Sequence, residues 1–221
     1  MQKKISLYEN IYSEQDNLAK KINEFLTEKD IFTINILGGA GAGKTSTLIQ
    51  TIKRLNDIKS YVIEGDIESD IDTKTLTALG VTAFQINTGG NCHLNPIMVD
   101  TILKKIDICQ KGVLFIENIG NLVCPADVII GEHIKILICS IPEGSDKPYK
   151  YPLAFQKADA IILNKMDLKP YIDFDSDFFY NGVRALNDEA KIFEVCSKTG
   201  EGFDSFIEWL RKEIYNQNFL L

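Results

Sequence analysis

The sequence predicts an α/β protein, a mostly parallel sheet covered by helices on both faces in three α-β-α layers. Apolar runs of four to eight residues alternate with helical patterns along the chain. The first run feeds directly into a glycine-rich segment that opens a helix. That segment, Gly38 to Thr45, "GGAGAGKT", fits G-x-x-x-x-G-K-[ST] in full.

In chain order, Ile11, Leu18, Ile22, Phe25 and Leu26 recur at helical spacing between Glu9 and Lys29, an amphipathic helix that Asp30 ends. "IFTINIL" (31–37) is a buried strand. Further strands are expected at 60–65, 83–87, 112–118, 134–140, 160–165 and 191–197. The helical patterns between them cover 44–56, 71–79, 95–109, 148–157, 179–189 and 202–216. The acidic, aromatic segment 169–179 is expected as a surface loop or helix entry. Neither an internal repeat nor a low-complexity tract interrupts the 221 residues.

Composition narrows the function classes. The chain is 45% hydrophobic and 25% charged, as in a soluble globular protein. A formal charge of −7 argues against nucleic acid as a partner, which calls for a basic face. It does not argue against a nucleotide, whose phosphates need local donors only. No apolar run follows the basic N-terminal residues and no stretch has the length of a membrane span, so the expectation is a cytoplasmic protein without signal peptide or membrane partner. The five cysteines, Cys92, Cys109, Cys124, Cys139 and Cys196, are odd in number and scattered, which suits free thiols in a reducing compartment. Cys109 and Cys139 read as core fillers.

The glycine-rich segment is a P-loop. Its glycines let successive backbone N–H groups turn inward around phosphates, and the helix that follows adds its partial positive charge. Gly38, Gly39, Ala40, Gly41, Ala42, Gly43 and Ser46 are the expected lining, Lys44 reaches the β- and γ-phosphates, and the Thr45 hydroxyl ligates Mg²⁺. "NKMD" (164–167) at a strand end supplies the base reader. The Asp167 carboxylate accepts from guanine N1–H and its exocyclic amine, a pair adenine lacks, with Asn164 and Lys165 beside it. Ser197 and Lys198 in "CSKTG" resemble the loop that GTPases place over guanine O6. GTP is therefore the expected nucleotide, with a P-loop kinase or ATPase holding structural cysteines as the alternative. Residues 1–30 are read as an N-terminal helical extension and 31–221 as the P-loop GTPase domain.

Carboxylates at strand ends complete the phosphate chemistry. Asp66 and Asp72 in "EGDIESDID" are candidates for Mg²⁺, with Asp70 competing. Glu117 and Gly120 in "LFIENIG" match the D-x-x-G element whose carboxylate faces Mg²⁺ and whose glycine contacts the γ-phosphate. Lys44, Asp66 and Glu117 are the candidate catalytic residues. No glutamine follows Gly120 to orient water, so slow hydrolysis is expected.

The chain has two histidines, and one of them follows Cys92 in "NTGGNCHLNP" (87–96). Cys124 lies four residues beyond Gly120. Cys92, His93 and Cys124 form a donor set of the kind Ni²⁺ and Zn²⁺ take, unsaturated in one chain and completed where two chains meet across a two-fold axis.

"GGAGAGKT", "NTGGNCHL", "FIENIGNLVCPAD" and "NKMDL", in this order, resemble the HypB family of hydrogenase-maturation GTPases over roughly residues 20–215. The urease accessory family UreG, with Cys-Pro-His in place of Cys-His, is the nearest alternative. The resemblance implies a metallochaperone for [NiFe]-hydrogenase: GTP and Mg²⁺ drive a homodimer whose interface carries the metal site of Cys92, His93 and Cys124. It implies a nickel-binding accessory protein and the hydrogenase large-subunit precursor as partners. It also implies a lysine of 143–152 reaching across the dimer to the partner's nucleotide, Lys150 by choice and Lys147 after it. The cysteine-rich nickel motif and histidine-rich stretch of some members are missing here, so nickel storage is not expected.

Overall fold

The computed structural model describes residues 7–66, residue 76 and residues 80–216. The expected helix 71–79 falls largely outside them, as do Asp70 and Asp72. Helix α1 (Leu7–Glu28) leads into β1 (Ile31–Gly38), α2 (Lys44–Arg54), β2 (Ser60–Asp66) and β3 (Thr82–Asn87). Then come α3 (Pro96–Leu103), β4 (Gly112–Glu117), β5 (Ile134–Ser140), the short helices α4 (Lys147–Lys150) and α5 (Pro152–Gln156), β6 (Ala160–Asn164), α6 (Ser176–Leu186), β7 (Lys191–Glu194) and α7 (Phe203–Asn216).

Among the described residues seven strands form one sheet, in the order β3-β2-β4-β1-β5-β6-β7, and every pairing is parallel. The alternation of side chains sorts β1 between the two faces. Phe32, Ile34 and Ile36 point to the α2 and α7 side, where Leu48, Phe206 and Leu210 meet them. Leu37 joins Phe155 and Phe179 of α5 and α6 on the other side. Ile31 joins Ile22 and Leu26 of α1 and Val99 of α3 on that same side. Between these last two clusters lies a seam of buried polar residues, Thr33, Asn35, Asn118 and Lys135.

Several elements differ from the periodicity reading, each for a local reason. The pattern at 148–157 is two short helices, because Pro152 disfavours helical geometry at Tyr151, which sits at φ −129° and ψ 53°. The helix expected at 95–109 stops at Leu103, and the chain turns through 104–106 and continues irregularly to β4 with Ile108 buried and Gln110 bonded to the Tyr61 hydroxyl. Cys109 consequently lies exposed in that connection rather than in the core; Cys139 is buried as expected. Asp30 ends α1 in the left-handed region at φ 55°, which a short polar side chain tolerates. In the segment 169–179, Asp175 caps α6 by accepting from the Phe178 N–H at 2.9 Å.

Candidate functional site

The parallel order brings the carboxyl ends of β1, β2 and β4 together around the P-loop, where an open sheet of this type holds its ligand. A cavity of about 620 Å³ opens there, lined by Ala40, Gly41, Gly43, Lys44, Thr45 and Ser46 from the P-loop and by Glu64, Glu117, Asn118 and Gly120 from the strand ends, with Lys165 and Ser197 at its far side.

Gly43 takes φ 97° at the start of α2, and a Cβ there would strike the Asn164 amide, so only glycine fits. Thr45 Oγ1 donates to Glu117 Oε1 at 2.8 Å, which sets two hard oxygen donors side by side as Mg²⁺ requires. Asp66 ends β2 opposite Asn87. Glu64, two residues before it, pairs in register with Glu117 and is buried in the cavity wall. Glu64 is not among the candidates named from the sequence; its signal is a charge at a position that shares a sheet face with core Val62.

The loops expected to read the base brace the P-loop. Asn164 is fully buried: its Nδ2 donates to Ala42 O at 3.0 Å, and its Oδ1 accepts from Lys165 N at 2.8 Å and Ser197 N at 3.0 Å. Lys165, itself left-handed at φ 62°, sends Nζ to Gly41 O at 2.6 Å. Asp167 is exposed, and the buried Cys196 thiol donates to its Oδ1 at 3.2 Å, aiming the carboxylate. Lys198 is exposed beside it. Gln50 of α2 holds the same loop through Ser197 O at 2.9 Å. Lys150 stands away from this cavity, exposed and paired with Asp146 at 2.5 Å. Lys147 turns instead to its own chain's Glu143 at 3.9 Å.

Beyond Glu117 the chain folds over the P-loop. A Cβ on Gly120 would sit 2.9 Å from Ala40 Cα, so this residue lies directly on the phosphate loop. Asn121 then pairs with Gly38. Asn121 Nδ2 also donates to Cys92 O at 3.2 Å, tying the Cys-His loop to the same segment.

The three expected metal ligands meet. One ligand atom from each of Cys92, His93 and Cys124 lies within 4.8 Å of the others, and Cys92 Sγ is 3.5 Å from His93 Nδ1. Ligands on a tetrahedral ion stand about 3.6 Å apart, so a small contraction of the set suffices. The Cys92 thiol, and after it the Asn121 amide, donate to Cys124 and hold its thiol below the ordinary value; Cys92, as donor, is raised. Burial lowers His93, which favours the neutral, ligating imidazole. Cys92 is exposed and the set faces outward. All of the described cysteines are free.

Residues 32–194 match the family model described as the CobW/HypB/UreG nucleotide-binding domain. The chain is similar to a protein of Azotobacter vinelandii named hydrogenase maturation factor HypB, 39% identical over 95% of this chain and 69% of the relative. A Helicobacter hepaticus relative named hydrogenase/urease maturation factor HypB is 36% identical over 98% of this chain and 92% of its own. The crystal structure of HypB from Helicobacter pylori in complex with nickel superposes with a TM-score of 0.86 at 33% identity, covering 93% of this chain and 97% of that one. Among the described residues no helix is long and apolar enough to cross a membrane.

Proposed function

The chain belongs to the CobW/HypB/UreG family as a HypB-type protein with a P-loop nucleotide-binding domain, and from this membership we propose that it is a metal-binding GTPase assisting nickel insertion into [NiFe]-hydrogenase. One observation carries the proposal. The segment that lies on the phosphate loop at Gly120 carries Cys124 four residues later, one of three side chains that lie close enough together to hold a metal ion.

GTP enters the cavity with its phosphates on the P-loop amides and Lys44, and with guanine against Asp167, Ser197 and Lys198. Thr45 and Glu117, with Asp66 at the end of β2 and Asp72 beyond it in sequence, would hold Mg²⁺, which would neutralise phosphate charge. A γ-phosphate draws Gly120 inward through its N–H, and Cys124 moves with it relative to Cys92 and His93. That geometry favours a homodimer in which two donor sets face each other and hold Ni²⁺ or Zn²⁺ as cargo, with Lys150 reaching the partner's nucleotide. Hydrolysis releases the segment and lowers metal affinity. A nickel-binding accessory protein and the large-subunit precursor of the hydrogenase are the partners, in the cytoplasm; the name of the Helicobacter hepaticus relative adds urease as a second client class.

The test is nickel affinity and oligomeric state measured together, with GDP and with a non-hydrolysable GTP analogue, for wild type and Cys124→Ala. The proposal expects an analogue-driven dimer with altered metal affinity, and dimerisation without metal in the variant. A metal affinity indifferent to the nucleotide sinks it.

A further inference from the structure

The buried polar seam runs from one arm of the metal site to the other and passes the nucleotide cavity on its way. At one end the N–H of Leu94, the residue after His93, donates to Asn118 Oδ1 at 3.0 Å, and the N–H of Ile119 donates to the same oxygen at 3.0 Å. Two backbone donors fix that amide, so Asn118 Nδ2 faces Asn35 Oδ1, at 3.4 Å. Asn35 Nδ2 is then left for Glu132 Oε1, at 3.2 Å. The other Glu132 oxygen accepts from Ile130 N at 2.7 Å. Lys135 Nζ lies 3.5 Å from Glu132 Oε1 and donates to Ala126 O at 3.2 Å, two residues after Cys124. Asn35 is fully buried and Asn118 is 1% exposed.

Every orientation in this chain is forced by its neighbour. Asn118 stands between Glu117 and Gly120 in the cavity wall, and Asn35 lies three residues before the P-loop on β1. Leu94 and Ala126 are the first residues of each arm, counting outward from the ligands, that the seam grips. We propose that Asn118, Asn35 and Glu132 are positioning residues that transmit the nucleotide state to both arms of the Cys92, His93 and Cys124 site. Displacement of Asn118 with the Gly120 segment shifts the acceptor under Leu94 directly and the carboxylate behind Ala126 through Asn35. The inference rests on the coupled metal-and-GTP reading above and names the route by which that coupling runs.

The experiment uses the full chain and Ni²⁺ itself. The ratio of nickel dissociation constants between the GDP form and the GTP-analogue form is measured for wild type, Glu132→Gln, and Glu132→Gln with Asn35→Asp. Glutamine offers one acceptor where Asn35 and Ile130 need two, so the single variant breaks the chain. The double variant restores the hydrogen bond between positions 35 and 132 with donor and acceptor exchanged and the net charge unchanged, while the carboxylate near Lys135 moves from position 132 to position 35. The expected result is a ratio that falls several-fold towards one in Glu132→Gln and recovers in the double variant, whatever the two melting temperatures do. A ratio that Glu132→Gln leaves at the wild-type value, or that the folded double variant fails to recover, overturns the route while leaving the coupling itself intact. A wild-type ratio of one overturns the coupling, and the route with it.

Discussion

Cys196 Sγ donates to Asp167 Oδ1 at 3.2 Å, so a buried thiol aims the exposed carboxylate. The ligand edge of that carboxylate is free to accept two guanine donors. Asp167→Asn is expected to weaken GTP binding roughly 10- to 100-fold, the loss of charge-assisted hydrogen bonds. Xanthine, which offers one donor and one acceptor at the same edge, should bind the variant better than guanine. Titration calorimetry with the guanine and xanthine triphosphates checks both, and ATP bound as tightly as GTP by the wild type would refute the guanine assignment.

Gly120 has no room for a methyl group, because Ala40 backbone atoms stand 2.9 and 3.0 Å from where it would sit. Gly120→Ala should hold the segment off the phosphate loop. GDP affinity is expected to stay within about threefold of wild type, since GDP makes no contact there. The dimer formed with the GTP analogue should be lost, as analytical ultracentrifugation would read directly.

Metal binding should weaken as pH falls. Cys124 must ionise to ligate, and its thiol is held below the ordinary value by the Cys92 thiol and then by Asn121. Affinity falls once pH drops through that lowered value and, because the raised Cys92 thiol must ionise as well, keeps rising above it. Asn121→Leu removes one of the two donors and should move the midpoint of Cys124 alkylation, followed by mass spectrometry, to higher pH. An unchanged midpoint would leave the Asn121 amide without this role.

His133 ties α1 to the sheet and should make stability acid-sensitive. Its Nδ1 accepts from Thr33 N at 2.9 Å, so the proton sits on Nε2, 2.9 Å from Thr27 Oγ1. Burial pulls the ring from 6.5 down to about 4. A base with a depressed folded value is fully stabilising above 6.5 and loses that contribution as pH falls towards 4. The partly exposed ring limits the slope to at most about 1 kcal/mol per pH unit. His133→Gln keeps both hydrogen bonds without titrating, and denaturant melts across this window should show its slope reduced.

The parts of the fold that were legible in the sequence are those set by local chemistry. Buried strands such as 160–163 are unbroken apolar runs because helices cover both faces, and the P-loop needs glycine at a left-handed position whatever surrounds it. The split at Tyr151 was written in Pro152 but outweighed by the apolar spacing around it. The end of α3 at Leu103 was not written locally, since it depends on Tyr61 of another strand capturing Gln110. The clustering of Cys92, His93 and Cys124 was legible from donor type together with the place of Cys124 after Gly120 and the family resemblance. Asn35 and Asn118 were not: an amide in an apolar strand looks like an ordinary departure from the pattern until its partner, 83 residues away, is seen beside it.

The bracing of the phosphate loop also dictates when in the life of the chain it can work. Asn164 reaches Ala42 across 122 positions, and Gln50 reaches Ser197 across 147. A ribosome has therefore made the P-loop long before it makes the residues that hold the loop in shape. The nascent chain carries its earliest-synthesised motif in an unbraced form until Ser197 is free to dock. A braced nucleotide-binding loop is thus expected only near the end of synthesis.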